Sequence, residues 1–339
     1  MKKLIIFTIS ILAVIRLSGQ DDAITSQYLI NPYYVNPGAA GINDMVNFNA
    51  AYRSSLNSLP GHPNTYYASF NGMVAKRVAL GALLLNDQIA SLNKYRMQLS
   101  YAYSWLANPD TRMGLGLSTE FHQINLDKGV GNNPYEEIGD PILLTAIDGT
   151  QYFDATVGLY GLYKGKLHFG VTLPNLVRAR LNKGTDEELD AFETAFKNYT
   201  VNLGYRFDIK DYDFAVEPSI MLRKGYTTPA ITDIAIKAYF LQNKLIIGGL
   251  ARIVDSETIM GMLMGIKFGS LRLFYSYDVS FQNTQKYHAG SHEFSLNFEL
   301  PSKKKMTAEE EAKAAEEKAK MEGHPTMDNK AATPDSTKK

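Results

Sequence analysis

The chain has 339 residues, with 35 basic and 35 acidic side chains, a formal net charge of zero and no cysteine. That neutrality argues against nucleic acid or an anionic surface as the partner. The missing thiols exclude disulfides, thiolate metal sites, cysteine nucleophiles and a lipidated N-terminal cysteine.

The opening stretch "MKKLIIFTISILAVIRLSGQDD" reads as a secretory signal over residues 1–19. Lys2 and Lys3 supply the positive start, Leu4 to Ile15 the apolar core, and Ser18 and Gly19 the small residues for cleavage near Gly19–Gln20. The apolar run is shorter than the roughly 20 residues a membrane helix needs, and no later segment reaches that length. An exported chain without a membrane helix is expected. Residues 20–45 form a leader with Asn31-Pro32 and Asn36-Pro37 in close succession. Each proline disfavours helix at the residue before it, so this leader is expected to be extended and rich in turns.

From residue 46 to 300 the sequence repeats segments of about ten residues in strict alternation, separated by turn residues. In "KYRMQLSYAYSWL" one face carries Tyr95, Met97, Leu99, Tyr101, Tyr103 and Trp105, and the other Arg96, Gln98, Ser100, Ala102 and Ser104. The segments "TRMGLGLSTEFHQ" and "NYTVNLGYRF" divide in the same way. Period 2 is the mark of a strand with one apolar face. Three features point that face at lipid. The polar face holds bulky charges (Arg53, Arg112, Glu120, Arg206, Arg252), and tyrosines gather towards strand ends as an interfacial girdle. Third, connections alternate between tight turns ("ANPD", "KGK", "IKD", "LQNK", "FGS") and a series containing every long one, at 127–150, 174–197 and 281–290. The fold class implied is all-β: a transmembrane antiparallel outer-membrane β-barrel of about 14 strands. Pro218 predicts a bulge in "FAVEPSIMLR". The face bearing Met262 and Met264 in "TIMGMLMGIKF" is expected to pack on an internal plug or a partner. The leader is expected to fold into the barrel or brace its mouth.

After Leu300 the composition changes to "PSKKKMTAEEEAKAAEEKAKMEGHPTMDNKAATPDSTKK". Thr307 and Glu310 form a capping box, and Glu309–Lys313 and Glu316–Lys320 are favourable pairs four apart. With no apolar stripe, residues 301–339 read as a short helical and disordered tail, periplasmic if the barrel's N-terminus is.

Little in the chain suggests chemistry. His288 and His292 would lie about 13 Å apart on one strand, too far for one metal. His292 and Glu293 are expected at the start of the last strand and in the lumen. His122 and His168 are plausible lumen residues with Glu120 or Asp154 nearby, yet no serine sits on an elbow motif. No metal, cofactor or catalytic residue is assigned, and the chain is expected not to be an enzyme. A solute channel or porin-like transporter is the alternative reading, although the mixed inward charges suggest a cross-linked lumen.

Two stretches carry a resemblance. "SQYLINPYYVNPGAAGIND" is similar to the opening motif of the PorP/SprF family of type IX secretion system outer-membrane proteins, through Gln27, Tyr28, Asn31, Pro32, Asn36, Pro37, Ala40 and Gly41. Gly38 and Ala39 depart from the family's Ala-Tyr and remove an aromatic ring. "FYSYDVS" and "GSHEFSLNFEL" resemble the closing strands, through Tyr275, Tyr277, Asp278, Gly290, Ser291, His292 and Glu293. The resemblance implies an integral outer-membrane barrel without catalytic residues. It further implies support for export or surface anchoring of a secreted adhesin-type client used in gliding or attachment. Other secretion components, and in some members a peptidoglycan-linked periplasmic protein, are the implied partners.

Overall fold

A computed structural model describes residues 25–127, 129, 146–177, 179–181, 197–209, 213–225, 228–255, 257–280 and 289–301. The proposed signal, the tail from residue 302 and His288 lie outside the described residues. The first half of the wall comprises β1 (Met45–Ser54), β2 (Asn64–Ala75), β3 (Val78–Ile89), β4 (Leu92–Asn108), β5 (Thr111–Leu126), β6 (Thr150–Tyr163) and β7 (Leu167–Leu173). A two-residue bridge, β8 (Ala179–Arg180), pairs with β6 outside the ring. The second half comprises β9 (Tyr199–Tyr205), β10 (Phe207–Ile209), β11 (Phe214–Lys224), β12 (Ile231–Phe240), β13 (Leu245–Val254), β14 (Glu257–Phe268), β15 (Leu271–Ser280) and β16 (Ser291–Pro301).

Every neighbouring pair is antiparallel, and two pairings close the ring. β1 meets β16 from Met45 opposite Pro301 to Ser54 opposite His292, and β7 meets β9. Because β9 and β10 run as one stave against β11, the wall has 14 staves. Among the described residues the ring leaves no free edge to pair with another chain.

Alternation places the faces as hydrophobicity demands. Outward Leu99 is 58% exposed, and Leu84, Leu117, Ile236 and Leu296 are exposed with it. Inward Arg252 and Asp154 are 0% exposed. A protein surrounded by water would reverse this arrangement, whereas lipid stabilises an apolar exterior and requires a closed hydrogen-bond ladder. Tyr52 and Tyr66 pair outside near one rim, and Tyr103 stacks on Trp105 near the other, as amphipathic rings settle at the two interfaces. Among the described residues no helix is long and apolar enough to cross a membrane.

One end of the barrel has only tight turns, with Gly165 and Gly269 at φ 66° and 59°. The other end carries all the long connections, together with a tight one at 90–91.

Two expectations change. Pro218 makes no bulge: β11 stays in register with β12 through Pro218 opposite Ile236. The ladder opens instead on the other side, where Arg206 separates β9 from β10. A proline that cannot donate removes a rung without adding a residue. Met260, Met262 and Met264 point outwards, with Met262 69% exposed, so they do not meet the plug. The inward apolar contact on β14 is Leu263, packed with Ile246 and Phe274.

Candidate functional site

Residues 25–44 lie inside the barrel and run through it from the long-loop end to the short-turn end. Three single-turn 3-10 helices give this plug its path: η1 (Gln27–Leu29), η2 (Pro32–Tyr34) and η3 (Pro37–Ala39). The repeated Asn-Pro builds the second and third. Asn31 and Asn36 are extended, and each side-chain oxygen accepts from a backbone N–H two residues on, Tyr33 at 3.3 Å and Gly38 at 2.8 Å. Each proline then takes the first helical position, where its fixed φ fits and its missing N–H costs nothing.

The plug is fastened around the wall. At the long-loop end, Gln27 Nε2 donates to Glu293 Oε1 and Ser295 Oγ, both at 2.5 Å, and the Ser26 N–H to Glu293 Oε2 at 3.2 Å. Arg53 bridges two wall carboxylates, donating to Glu293 at 2.9 Å and pairing with Asp278 at 2.7 Å. Arg252 grips Asp233 through Nε and Nη2 at 2.8 and 3.0 Å and donates from Nη2 to the Thr25 carbonyl at 3.2 Å. The two guanidiniums face three carboxylates, so the plug's amide donors supply part of the compensation these buried charges require. Further along, Lys237 donates to the Leu29 carbonyl at 2.8 Å, and Asn31 Nδ2 lies 3.2 Å from both the Tyr67 and Ser69 oxygens. Tyr33 shares a 2.9 Å bond with Ser100, and Asn36 Nδ2 donates to the Leu159 and Val171 carbonyls. At the short-turn end, Arg112 pairs with Asp44 and donates to the Ile42 carbonyl. Burial of Leu29 and Ile42 adds roughly 1.5–3 kcal/mol each.

The wall is carved to admit this backbone. A Cβ at Gly114 would strike the Gly38 carbonyl, one at Gly116 would strike Pro37, and one at Gly158 would strike the Asn36 side chain. A Cβ at Gly81 would come within 2.5 Å of the Tyr33 ring. At Gly114 and Gly116 two backbones approach too closely for a side chain; at Gly158 and Gly81 the plug's own Asn36 and Tyr33 side chains take the space.

The residues singled out from sequence divide in two. Gln27, Tyr28, Asn31, Asn36, Pro37 and Gly41 belong to the buried part of the plug, with Pro32 at the first position of η2. Asp278 and Glu293 face them from the wall, and Ser291 Oγ accepts from the Leu56 N–H. Gly290 takes φ 84° in the turn before β16. Tyr275, Tyr277 and His292 instead lie outside. Tyr275 and His292 bond at 2.8 Å, and the Tyr277 ring packs 5.0 Å from the imidazole. His292 therefore departs from the lumen placement expected of it: it shares the parity of outward Phe294, opposite to that of Glu293.

Arg53, Arg252 and the inward glycines carry no motif that sets them apart from other polar-face residues in the sequence. The glycines at alternate positions of β5 were a readable signal that something approaches that wall. In the lumen, His122 Nε2 lies 3.2 Å from Glu120, which also accepts from Ser118 at 3.3 Å. The carboxylate stands between serine and imidazole, the wrong order for a base that must take the serine proton. His168 lies 3.9 Å from Glu217. Among the described residues no cluster could hold a metal.

A closed apolar-faced barrel with a charged lumen and its own N-terminal plug is an integral outer-membrane protein. The family model described as "Type IX secretion system membrane protein PorP/SprF" matches residues 17–298. The chain belongs to that family, and so is an outer-membrane component of a type IX secretion system. Curated proteins give no match. Solved structures with a similar outline include the CymD monoaromatic hydrocarbon channel, at 11% identity and TM-score 0.46, covering 83% of this chain and 93% of that one. The Pseudomonas putida toluene transporter TodX gives 9% identity and TM-score 0.43, covering 84% and 95%. Omp33 of Acinetobacter baumannii gives 9% and 0.42, covering 76% and 96%.

Proposed function

We propose that this protein is a non-enzymatic, plugged outer-membrane component of type IX secretion. In this role it supports export or surface anchoring of a secreted adhesin-type client and works with other secretion components. The observation that carries the reading is the plug: residues 25–44 are fastened to opposite walls of the lumen, so the barrel acts as a fixed body rather than an open pipe. The short turns face the periplasm by the usual rule for such barrels. The chain enters β1 and leaves β16 at that end, which supports reading the tail as periplasmic and available to a peptidoglycan-linked partner. The organisation follows the same reading: a signal over residues 1–19, a leader over 20–45, the barrel over 46–300, and the tail.

Crosslinking the tagged protein in native outer membranes, followed by mass spectrometry, tests the proposal. Recovery of secretion components and one large secreted protein is the expected result. Recovery of the barrel alone, joined with steady conductance in planar bilayers, would replace this reading with the solute channel.

A further inference from the structure

Between the plug and the long-loop end the lumen opens into a cavity of about 330 Å3, with Tyr34, Val35 and Pro37 of the plug as its floor. Most charged groups in its wall are already matched. Arg96 pairs with Glu120 at 3.3 Å, Glu120 also contacts His122, and Lys224 donates to the Thr228 carbonyl at 2.8 Å. Asp255 and Glu257 sit exposed at the rim.

One patch is different. Arg223 has two buried nitrogens, Nε and Nη2, with no hydrogen-bond partner among the described residues. Asn198 is 1% exposed, and neither its amide nitrogen nor its oxygen has one. The Thr172 hydroxyl, on a residue 2% exposed, is the third such group. All three line this cavity. Register brings them together: Arg223 stands opposite Thr200 on β9, Thr200 opposite Thr172 on β7, and Asn198 two residues before Thr200. Directly opposed residues lie about 5 Å apart and alternate residues of a strand about 7 Å apart, so the donors form one compact group.

The geometry points to a carboxylate site. Nε and Nη2 form the side-on edge of a guanidinium, whose two parallel N–H bonds match the two oxygens of a carboxylate. The Asn198 amide and Thr172 hydroxyl can donate beside them. Buried donors left unmatched are costly, which is why such groups normally have partners and why three together mark a ligand's place. Apolar Ile231, Val254, Pro174 and Pro229 line the same space, so the carboxylate fits best on a small, partly apolar body. A free organic acid and the end of a polypeptide entering from the long-loop side offer the same chemistry. This site does not depend on the secretion reading.

Calorimetry on the full-length barrel, folded in detergent, tests it with four probes: hexanoate, a short apolar peptide with a free C-terminal carboxylate, the same peptide as its C-terminal amide, and inorganic phosphate. Saturable binding of hexanoate or the peptide acid, absent for the amide, is expected. Hexanoate alone identifies a small-acid site; a tighter peptide acid identifies a chain-end site. Arg223→Gln should weaken binding about ten- to hundredfold, the worth of a charge-assisted pair. Arg223→Lys, which keeps charge but loses the fork, should recover only part of it. Retention of the unheated mobility shift on gels shows that each variant barrel is folded. Equal binding of acid and amide, equal binding of phosphate, unchanged affinity in the folded Arg223→Gln barrel, or no binding by any probe would overturn the assignment.

Discussion

Replacing Arg53 by methionine removes the guanidinium that lies between Asp278 and Glu293 while keeping most of its apolar stem. The Arg53 side chain is 6% exposed and each carboxylate 2%, so water cannot take over the pairing. Breaking a buried pair from one side strands a charge and costs about 3–5 kcal/mol, whereas removing charge from both sides is often neutral. Two stranded carboxylates put Arg53→Met in the upper part of that range. The triple variant Arg53→Met, Asp278→Asn, Glu293→Gln should recover all but about 1–2 kcal/mol, because the neutral amides then at positions 278 and 293 still accept hydrogen bonds without carrying charge. Urea unfolding in lipid vesicles measures this, with Trp105, the only tryptophan in the sequence, as the fluorescent reporter. Plug anchorage has its own readout. The chain lacks cysteine, so Ser26→Cys offers a single thiol for a water-soluble label. Labelling should be slow in the parent, fast with Arg53→Met, and slow again when Asp278→Asn and Glu293→Gln are added. A loss below about 1 kcal/mol in the single variant, or a triple variant no more stable than the single, would refute the claim that this network holds the plug by compensating buried charge.

Gly116→Leu places a side chain where Pro37 lies, and should release the plug while leaving the outer wall intact; higher bilayer conductance with a retained gel-mobility shift is the expected pair of results. Asn36→Ala loses both the cap on η3 and the bonds to two wall carbonyls, for about 1–3 kcal/mol, whereas Asn36→Asp keeps the cap oxygen but turns a buried carboxylate oxygen towards those two carbonyls and should lose at least as much in the same urea assay. Leu99→Arg on the lipid face should cost roughly 2–4 kcal/mol in vesicles, and considerably less in detergent micelles that deform around the charge.

Alternation of apolar and polar residues was enough to place the staves, their count and their lipid face, because side-chain period and register are local properties of a strand. The same alternation would have separated His292 from Glu293, adjacent residues that must point in opposite directions. Pro218 shows the limit of a single-strand rule. Whether a missing N–H produces a bulge or an opened ladder depends on the neighbouring stave, which lies elsewhere in the sequence. The Met262 face was ambiguous for the same reason: "TIMGMLMGIKF" is apolar on both sides, so parity with neighbouring staves had to decide.

The sequence by itself also marked both ends of the site, the double Asn-Pro leader and the closing Gly-Ser-His-Glu. It could not show that they meet. Gln27 and Glu293 are 266 positions apart and touch only because β16 closes on β1 and the leader folds back into the lumen. Arg53 and Arg252 looked like any inward charges of a barrel until closure set one against Glu293 and the other against the leader's backbone. The unmatched donors at Thr172, Arg223 and Asn198 come from β7, from β11 and from the residue just before β9. Local chemistry determined what each strand and turn would be; the tertiary structure decided which buried groups found partners, because partnership across a lumen depends on ring closure and stagger rather than on any short stretch of chain.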